Sequence, residues 1–151
     1  MKPLYIFDLD GTLADITHRR HFVENRANCW DEFYAACVND SPNTSVIQVM
    51  NLLRRNADIW IFSGRSDIVR VQTQNWLHTH TELNEYDIIH CLTMRTDGNY
   101  TPDDILKKYW YDRMLDVDKA RLVATFDDRD RIVKMWRNLG VTCFQVAPGD
   151  F

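Results

Sequence analysis

Cysteine, glycine and proline are all scarce in this chain, and none of them is clustered. The four cysteines, at positions 29, 37, 91 and 143, stand too far apart for a Cys-x-x-Cys pair and are too few for a small disulfide scaffold. They read as buried reduced thiols. The five glycines and four prolines fall singly, as punctuation between elements, and there is no internal repeat or low-complexity tract. No apolar run approaches the roughly 18 residues of a membrane span. The N-terminus shows no basic stretch, long apolar region or small-residue cleavage site, so no membrane partner is expected and a cytoplasmic protein is the default. Neither charge sign dominates: a formal net charge of -4 excludes a global attraction to nucleic acid and leaves only a local basic site open.

What is present is enough apolar material for one core. With 151 residues, 45% of them hydrophobic, the chain matches a single domain spanning residues 1–151. Three short apolar runs end in polar residues: Leu4 to Phe7 before Asp8, Ile59 to Phe62 before Ser63-Gly64-Arg65, and Leu122 to Phe126 before Asp127-Asp128-Arg129. Each has the look of a buried strand of a parallel sheet. Ile88 to Met94 and Thr142 to Val146 supply two further strand candidates. Helical spacing fits the intervals, with Val46, Met50 and Leu53 on one face and Ile132, Trp136 and Leu139 on another. Thr101-Pro102-Asp103-Asp104 carries helix-start signals, with Thr101 as the expected cap of a helix running to Leu115.

This alternation predicts an α/β, Rossmann-like three-layer fold with a mostly parallel sheet, whose ligand site lies beyond the carboxyl ends of the strands. The interval 14–43 breaks the alternation, with two helical pieces around His18 to Glu24 and Trp30 to Val38 and no strand. It reads as a small helical cap insert over the site.

Asp8 and Asp10, two apart at a strand end, can face one small site, and Gly11 permits the chain to turn away sharply. Carboxylates so close repel each other unless a cation intervenes. A hard divalent ion, most simply Mg²⁺, relieves that repulsion, and Asp127 and Asp128 can complete its oxygen ligands. Ser63 can donate to a phosphate oxygen, and Lys107 or Lys108 can neutralise remaining charge. A calcium loop of the EF-hand type fails on spacing, because its glycine belongs at the sixth loop position and Gly11 would be the fourth.

In order along the chain, Asp8-Leu9-Asp10-Gly11-Thr12, Ser63, Lys107 and Asp127-Asp128 resemble the signature of the haloacid dehalogenase superfamily of phosphatases. The resemblance implies that Asp8 is a nucleophile forming an aspartyl-phosphate and Asp10 the general acid and base. It further implies that Ser63 and Lys107 hold phosphate, and that Asp8, the main-chain carbonyl of Asp10, Asp127 and Asp128 bind magnesium. A closer likeness, in Asp127-Asp128-Arg129, Met135-Trp136-Arg137, Gln145-Val146-Ala147 and Gly149-Asp150-Phe151, is to the phosphatase halves of T-even bacteriophage polynucleotide kinases. Ser63-Gly64-Arg65 and the spacing from Asp103-Asp104 to Lys107 are similar too, and that register selects Lys107 over Lys108.

The closer likeness implies a substrate that is a 3′-phosphorylated nucleic-acid end or a nucleotide, with Thr12, Gly64, Arg65, Arg95 and Arg129 as substrate-side residues. It suggests a phage-infected bacterium as the setting. The insert matches poorly, so the likeness implies no substrate contacts there. A kinase half would need two glycines five positions apart ahead of Lys-Ser/Thr; the glycines at 11, 64, 98, 140 and 149 supply no such pair, so no kinase is expected in this chain.

Other readings remain open: a phosphatase of small metabolites, a non-catalytic nucleotide-binding module, or a signalling receiver domain. A homo-oligomer is compatible with the sequence. His18-Arg19-Arg20-His21 reads equally as a basic site for an anion or as a solvated face. Trp30, Phe33 and Tyr34 of the insert are candidates for base stacking, whereas Trp60 and Trp136 belong to the core.

Overall fold

The computed structural model describes residues 1–151. Its five-stranded sheet has the order β5-β4-β1-β6-β7, formed by β1 (Leu4–Phe7), β4 (Asp58–Ser66), β5 (Leu92–Arg95), β6 (Leu122–Asp127) and β7 (Cys143–Gln145). All four pairings are parallel, with β1 central and in register with β4 from Leu4↔Asp58 to Phe7↔Ile61. The chain runs outward from β1 through β4 to β5, then returns to the other side of β1 for β6 and β7. The direction of travel thus reverses at β1, and in such sheets a ligand crevice opens at that point beyond the strand ends.

Period-two side-chain alternation makes β1 serve two cores. Leu4 and Ile6 face one side with Phe62, Ile132, Val133 and Trp136, the last three belonging to α7 (Asp130–Asn138). Tyr5 and Phe7 face the other with Ile61, Met50, Trp76, Leu77 and Ile88. Ile61 belongs to β4, and the other four come from α2 (Thr44–Leu53), α3 (Arg70–His80) and α4 (Glu85–Cys91). The remaining helices are α5 (Asp103–Asp112) and α6 (Asp116–Arg121). Truncating a fully buried side chain here, such as Phe7, costs about 3–5 kcal/mol. The helix–sheet–helix layering agrees with the Rossmann-like fold expected from the sequence.

Three local expectations need correction. Ile88 to Met94 is not one strand: Glu85–Cys91 is helical, and only Leu92–Arg95 joins the sheet. The Asn84 side chain accepts from Asp87 N at 2.8 Å, acids occupy the first turn and His90 the last, which together stabilise a helix that apolar content alone did not reveal. Thr101 does not cap α5, because the helix begins at Asp103 and the Thr101 carbonyl instead accepts from Arg95 at 2.6 Å. Nor is the interval 14–43 strandless. β2 (Ala14–Asp15) pairs antiparallel with β3 (Ser41–Pro42), closing the base of the insert around α1 (Trp30–Ala35) and several 3₁₀ turns.

Candidate active site

The polar ends of β1, β4 and β6 converge because the parallel ladder continues past β1. Asp8 N donates to the Phe126 carbonyl at 2.9 Å, so Asp8 and Asp127 emerge side by side. Beneath them the rings of Phe7 and Phe126 stack at 4.3 Å. β4 is irregular between Ser63 and Ser66, which re-aims Ser63-Gly64-Arg65 at the crevice. Gly11 turns the chain with φ +83°, and a Cβ there would lie 2.1 Å from Asp128 Oδ2. Both its dihedral and its close approach to Asp128 require glycine.

Two linked charge clusters fill the crevice. In the first, Lys107 Nζ lies 2.7 Å from Asp8 Oδ1 and 2.7 Å from Asp127 Oδ2, while Thr12 Oγ1 donates to Asp8 Oδ2 at 2.9 Å. Lys108 points away to Asp112 at the surface. Asp127 Oδ1 accepts from the backbone N–H of Asp128 at 2.9 Å and of Arg129 at 3.2 Å. Asp8, Asp127 and Asp128 are buried and each can offer a carboxylate oxygen within 4.8 Å of the others. Loss of hydration, then repulsion from Asp127, pushes the Asp8 carboxyl well above its ordinary range and that of Asp128 to about 6. Burial works against the charge on Lys107, but Asp127 and Asp8 outweigh it and hold the ammonium protonated.

One ammonium for three buried carboxylates is an uncompensated arrangement, and an all-oxygen donor set of this size suits a hard divalent cation such as Mg²⁺. The residues present therefore fit the ion that the sequence motif implies.

The second cluster surrounds Asp10. Arg65 Nη2 reaches Asp10 Oδ1 at 2.5 Å and Arg19 Nη2 reaches it at 2.9 Å. Both guanidiniums also bond Asp40: Arg65 at 3.1 Å, and Arg19 at 2.7 Å and 2.8 Å through two nitrogens. Burial alone would raise the Asp10 carboxyl, but Arg65 and Arg19 together outweigh it and hold it below its usual value. His18 and the Trp76 indole complete the setting of Asp40, the latter donating to its main-chain oxygen at 2.8 Å.

The site residues expected from the sequence fall into distinct places. Asp8, Lys107, Asp127 and Asp128 share the carboxylate cluster, with Thr12 bonded to Asp8. The Asp10 side chain lies with the arginines and not among the three clustered carboxylates. Ser63 is buried, its Oγ accepting from Arg65 N at 3.1 Å. Gly64 is packed so that a Cβ would approach Asp103 Oδ1 to 2.7 Å. Arg95 is latched to the carbonyls of Gly64, Asn99 and Thr101 and to the Asp103 carboxylate. Arg129 bonds Asp103 at 3.0 Å and the Phe151 main-chain oxygen at 3.1 Å.

Sequence reasoning missed Asp40 altogether. Nothing in Asn39-Asp40-Ser41-Pro42 distinguishes that acid from a loop residue. It left the His18 to His21 group open between a basic site for an anion and a solvated face, whereas Arg19 is fully buried against Asp10 and Asp40. The only available signal was the placement of a strong cation soon after the Asp-x-Asp motif.

A parallel sheet with carboxylates, lysine and serine gathered at its strand ends defines the haloacid dehalogenase class of phosphatase folds. The chain matches the family model of the polynucleotide kinase PNKP phosphatase domain over residues 2–151, and it belongs to that family. It is thus a phosphatase domain acting on phosphomonoesters.

It is 30% identical over 143 residues to a protein of Autographa californica nuclear polyhedrosis virus described as a bifunctional polynucleotide kinase/RNA ligase, covering 93% of this chain and 19% of that one. Among solved structures, a chain of the Pnkp1/Rnl/Hen1 RNA repair complex superposes with a TM-score of 0.78 at 30% identity, over 99% of this chain and 44% of the other. The class C acid phosphatase of Bacillus anthracis shares the fold, with a TM-score of 0.63 at 13% identity over 99% of this chain and 67% of the other. The chain spans less than half the length of the first two of these relatives. No helix is long and apolar enough to cross a membrane.

Proposed function

We propose that this protein is a magnesium-dependent phosphomonoesterase that removes 3′-phosphates from nucleic-acid ends through a phosphorylated Asp8. The observation that carries the chemistry is the placement of Asp8 against Lys107 at 2.7 Å and beside Asp127 and Asp128. Membership of the polynucleotide kinase phosphatase family supports the choice of substrate class.

Asp8, Asp127 and Asp128 would hold Mg²⁺ together with the Asp10 main-chain carbonyl. When bound, the ion supplies charge neutralisation for a phosphate oxygen and for the crowded carboxylates. An Asp8 carboxylate oxygen attacks phosphorus, forming the aspartyl-phosphate bond as the ester P–O bond breaks. The leaving 3′-oxygen takes its proton from Asp10. Ser63 and Lys107 hold the transferring phosphoryl oxygens. In the second half Asp10 takes a proton from water, whose oxygen attacks phosphorus and releases inorganic phosphate from Asp8. The guanidiniums that keep Asp10 ionised must loosen so that it takes up a proton from solvent before it donates, and a phosphate dianion competes for the same groups. The segment 14–43, which supplies Arg19 and Asp40 to this cluster, is read as a cap over the site.

The test is phosphate release, with Mg²⁺, from 3′-phosphorylated oligonucleotides, nucleoside monophosphates and sugar phosphates. The 3′-phosphorylated ends should be preferred, and Asp8→Asn should abolish release from all of them. A preference for sugar phosphates would sink the nucleic-acid reading; release undiminished in Asp8→Asn would sink the covalent one.

A further inference from the structure

Trp30 stands apart from the other tryptophans. Of five in the chain it alone is exposed, with 43% of its surface accessible, while Trp76 and Trp136 are buried and Trp60 and Trp110 partly so. Leaving a large apolar ring in water forgoes burial that would otherwise stabilise the fold, so such exposure is informative when the ring is also held in place.

Trp30 is held. It meets the buried Phe33 ring edge-on at 5.7 Å and an interplanar angle of 88°. The Phe33 ring in turn lies beneath the Arg19 guanidinium at 4.3 Å, and Arg19 also donates to the Phe33 carbonyl at 3.2 Å. Arg19 reaches Asp10 at 2.9 Å. Three successive contacts thus tie the exposed indole to the carboxylate expected to serve the leaving oxygen. On the same helix face Tyr34 lies 6.0 Å from Trp30 with its ring inclined by only 33°. Tyr34 is itself half-buried, and burial raises its phenol above the ordinary value.

We infer that Trp30 and Tyr34 form the surface on which the base of the 3′-terminal nucleotide stacks, making α1 the substrate-selecting element of the insert. The inference rests on the proposed 3′-phosphatase activity and adds to it the recognition of the leaving nucleoside. Two adjoining rings tied through Phe33 and Arg19 to Asp10 suit a nucleobase, whose π-face stacks on aromatic side chains largely independently of sequence. A sugar phosphate or other small ester offers nothing for them to grip.

The experiment compares two substrates, a 3′-phosphorylated oligonucleotide with an ordinary terminal base and the same oligonucleotide with an abasic 3′-terminal residue. The ratio of kcat/KM between them should exceed one in the native chain, fall roughly tenfold in Trp30→Ala and recover in Trp30→Phe. Circular dichroism establishes that each variant is folded. A ratio unaffected by Trp30→Ala, in a chain that cleaves both substrates, overturns the stacking surface and leaves the phosphatase reading standing. Release from neither substrate overturns the phosphatase reading, and this inference with it.

Discussion

Arg19 and Asp40, 21 residues apart, meet through paired hydrogen bonds of 2.7 Å and 2.8 Å with both side chains wholly out of solvent. Asp40 also bonds Arg65, so one carboxylate anchors both guanidiniums that converge on Asp10. The shape of the crevice around Asp10 therefore depends on a residue that does not itself belong to the Asp-x-Asp motif.

Asp40→Asn keeps the shape of the side chain and removes its charge, leaving two buried guanidiniums with only Asp10 between them. Breaking one side of a buried ion pair costs about 3–5 kcal/mol. The urea midpoint should fall accordingly, and phosphate release, measured at a temperature where the variant remains folded, should fall with it. Unaltered stability would show that the arginines find other partners.

Mg²⁺ should stabilise the native chain, since its binding relieves repulsion among Asp8, Asp127 and Asp128. At a hundredfold excess over Kd the gain is about 2.7 kcal/mol, readable as a rise in Tm that a chelator reverses. Asp128→Asn should lose most of that rise. An equal rise in Asp128→Asn would remove this residue from the ion's ligands.

Gly149 and Gly98 make a controlled pair. A Cβ at Gly149 would stand 1.8 Å from the Asp128 carbonyl oxygen, whereas one at Gly98 meets nothing within 4 Å although φ is +79°. Gly98→Ala should cost only the roughly 1–2 kcal/mol of a left-handed non-glycine residue. Gly149→Ala must shift the backbone of Asp128 and Arg129, and should both destabilise the fold more and weaken the Mg²⁺-induced rise in Tm. Equal behaviour of the two variants in thermal unfolding would contradict this.

Burial pushes the Cys91 thiol up to about 12, and Cys37 and Cys143 are raised for the same reason. In the unfolded chain these thiols ionise near 9 and below, so between that value and the folded one the native state binds more protons. Stability should accordingly decline as pH rises above about 9, followed by the urea midpoint, and the decline should be shallower in Cys91→Ala. At neutral pH, Cys29 should react with iodoacetamide ahead of the three buried thiols.

The sequence by itself determined four of the five sheet-forming runs, all but β5, and the chemical groups at the ends of β1, β4 and β6. Both are local properties: a buried strand must be apolar, and Asp8, Ser63 and Asp127 directly follow or end such runs. The choice of Lys107 over Lys108 came from its register after Asp103 in a resembling motif, and the fold turns Lys107 inward.

What only the tertiary structure decided depends on where distant segments cross. The β2–β3 ribbon brings the end of the insert back to its beginning, which is how Asp40 comes to lie against Arg19 and Arg65. In α4, a cap and end charges outweighed a strand-like run because Ile88 and Cys91 reach the core equally well from a helix. Apolar content specifies burial, and only the packed chain specifies which neighbours share it.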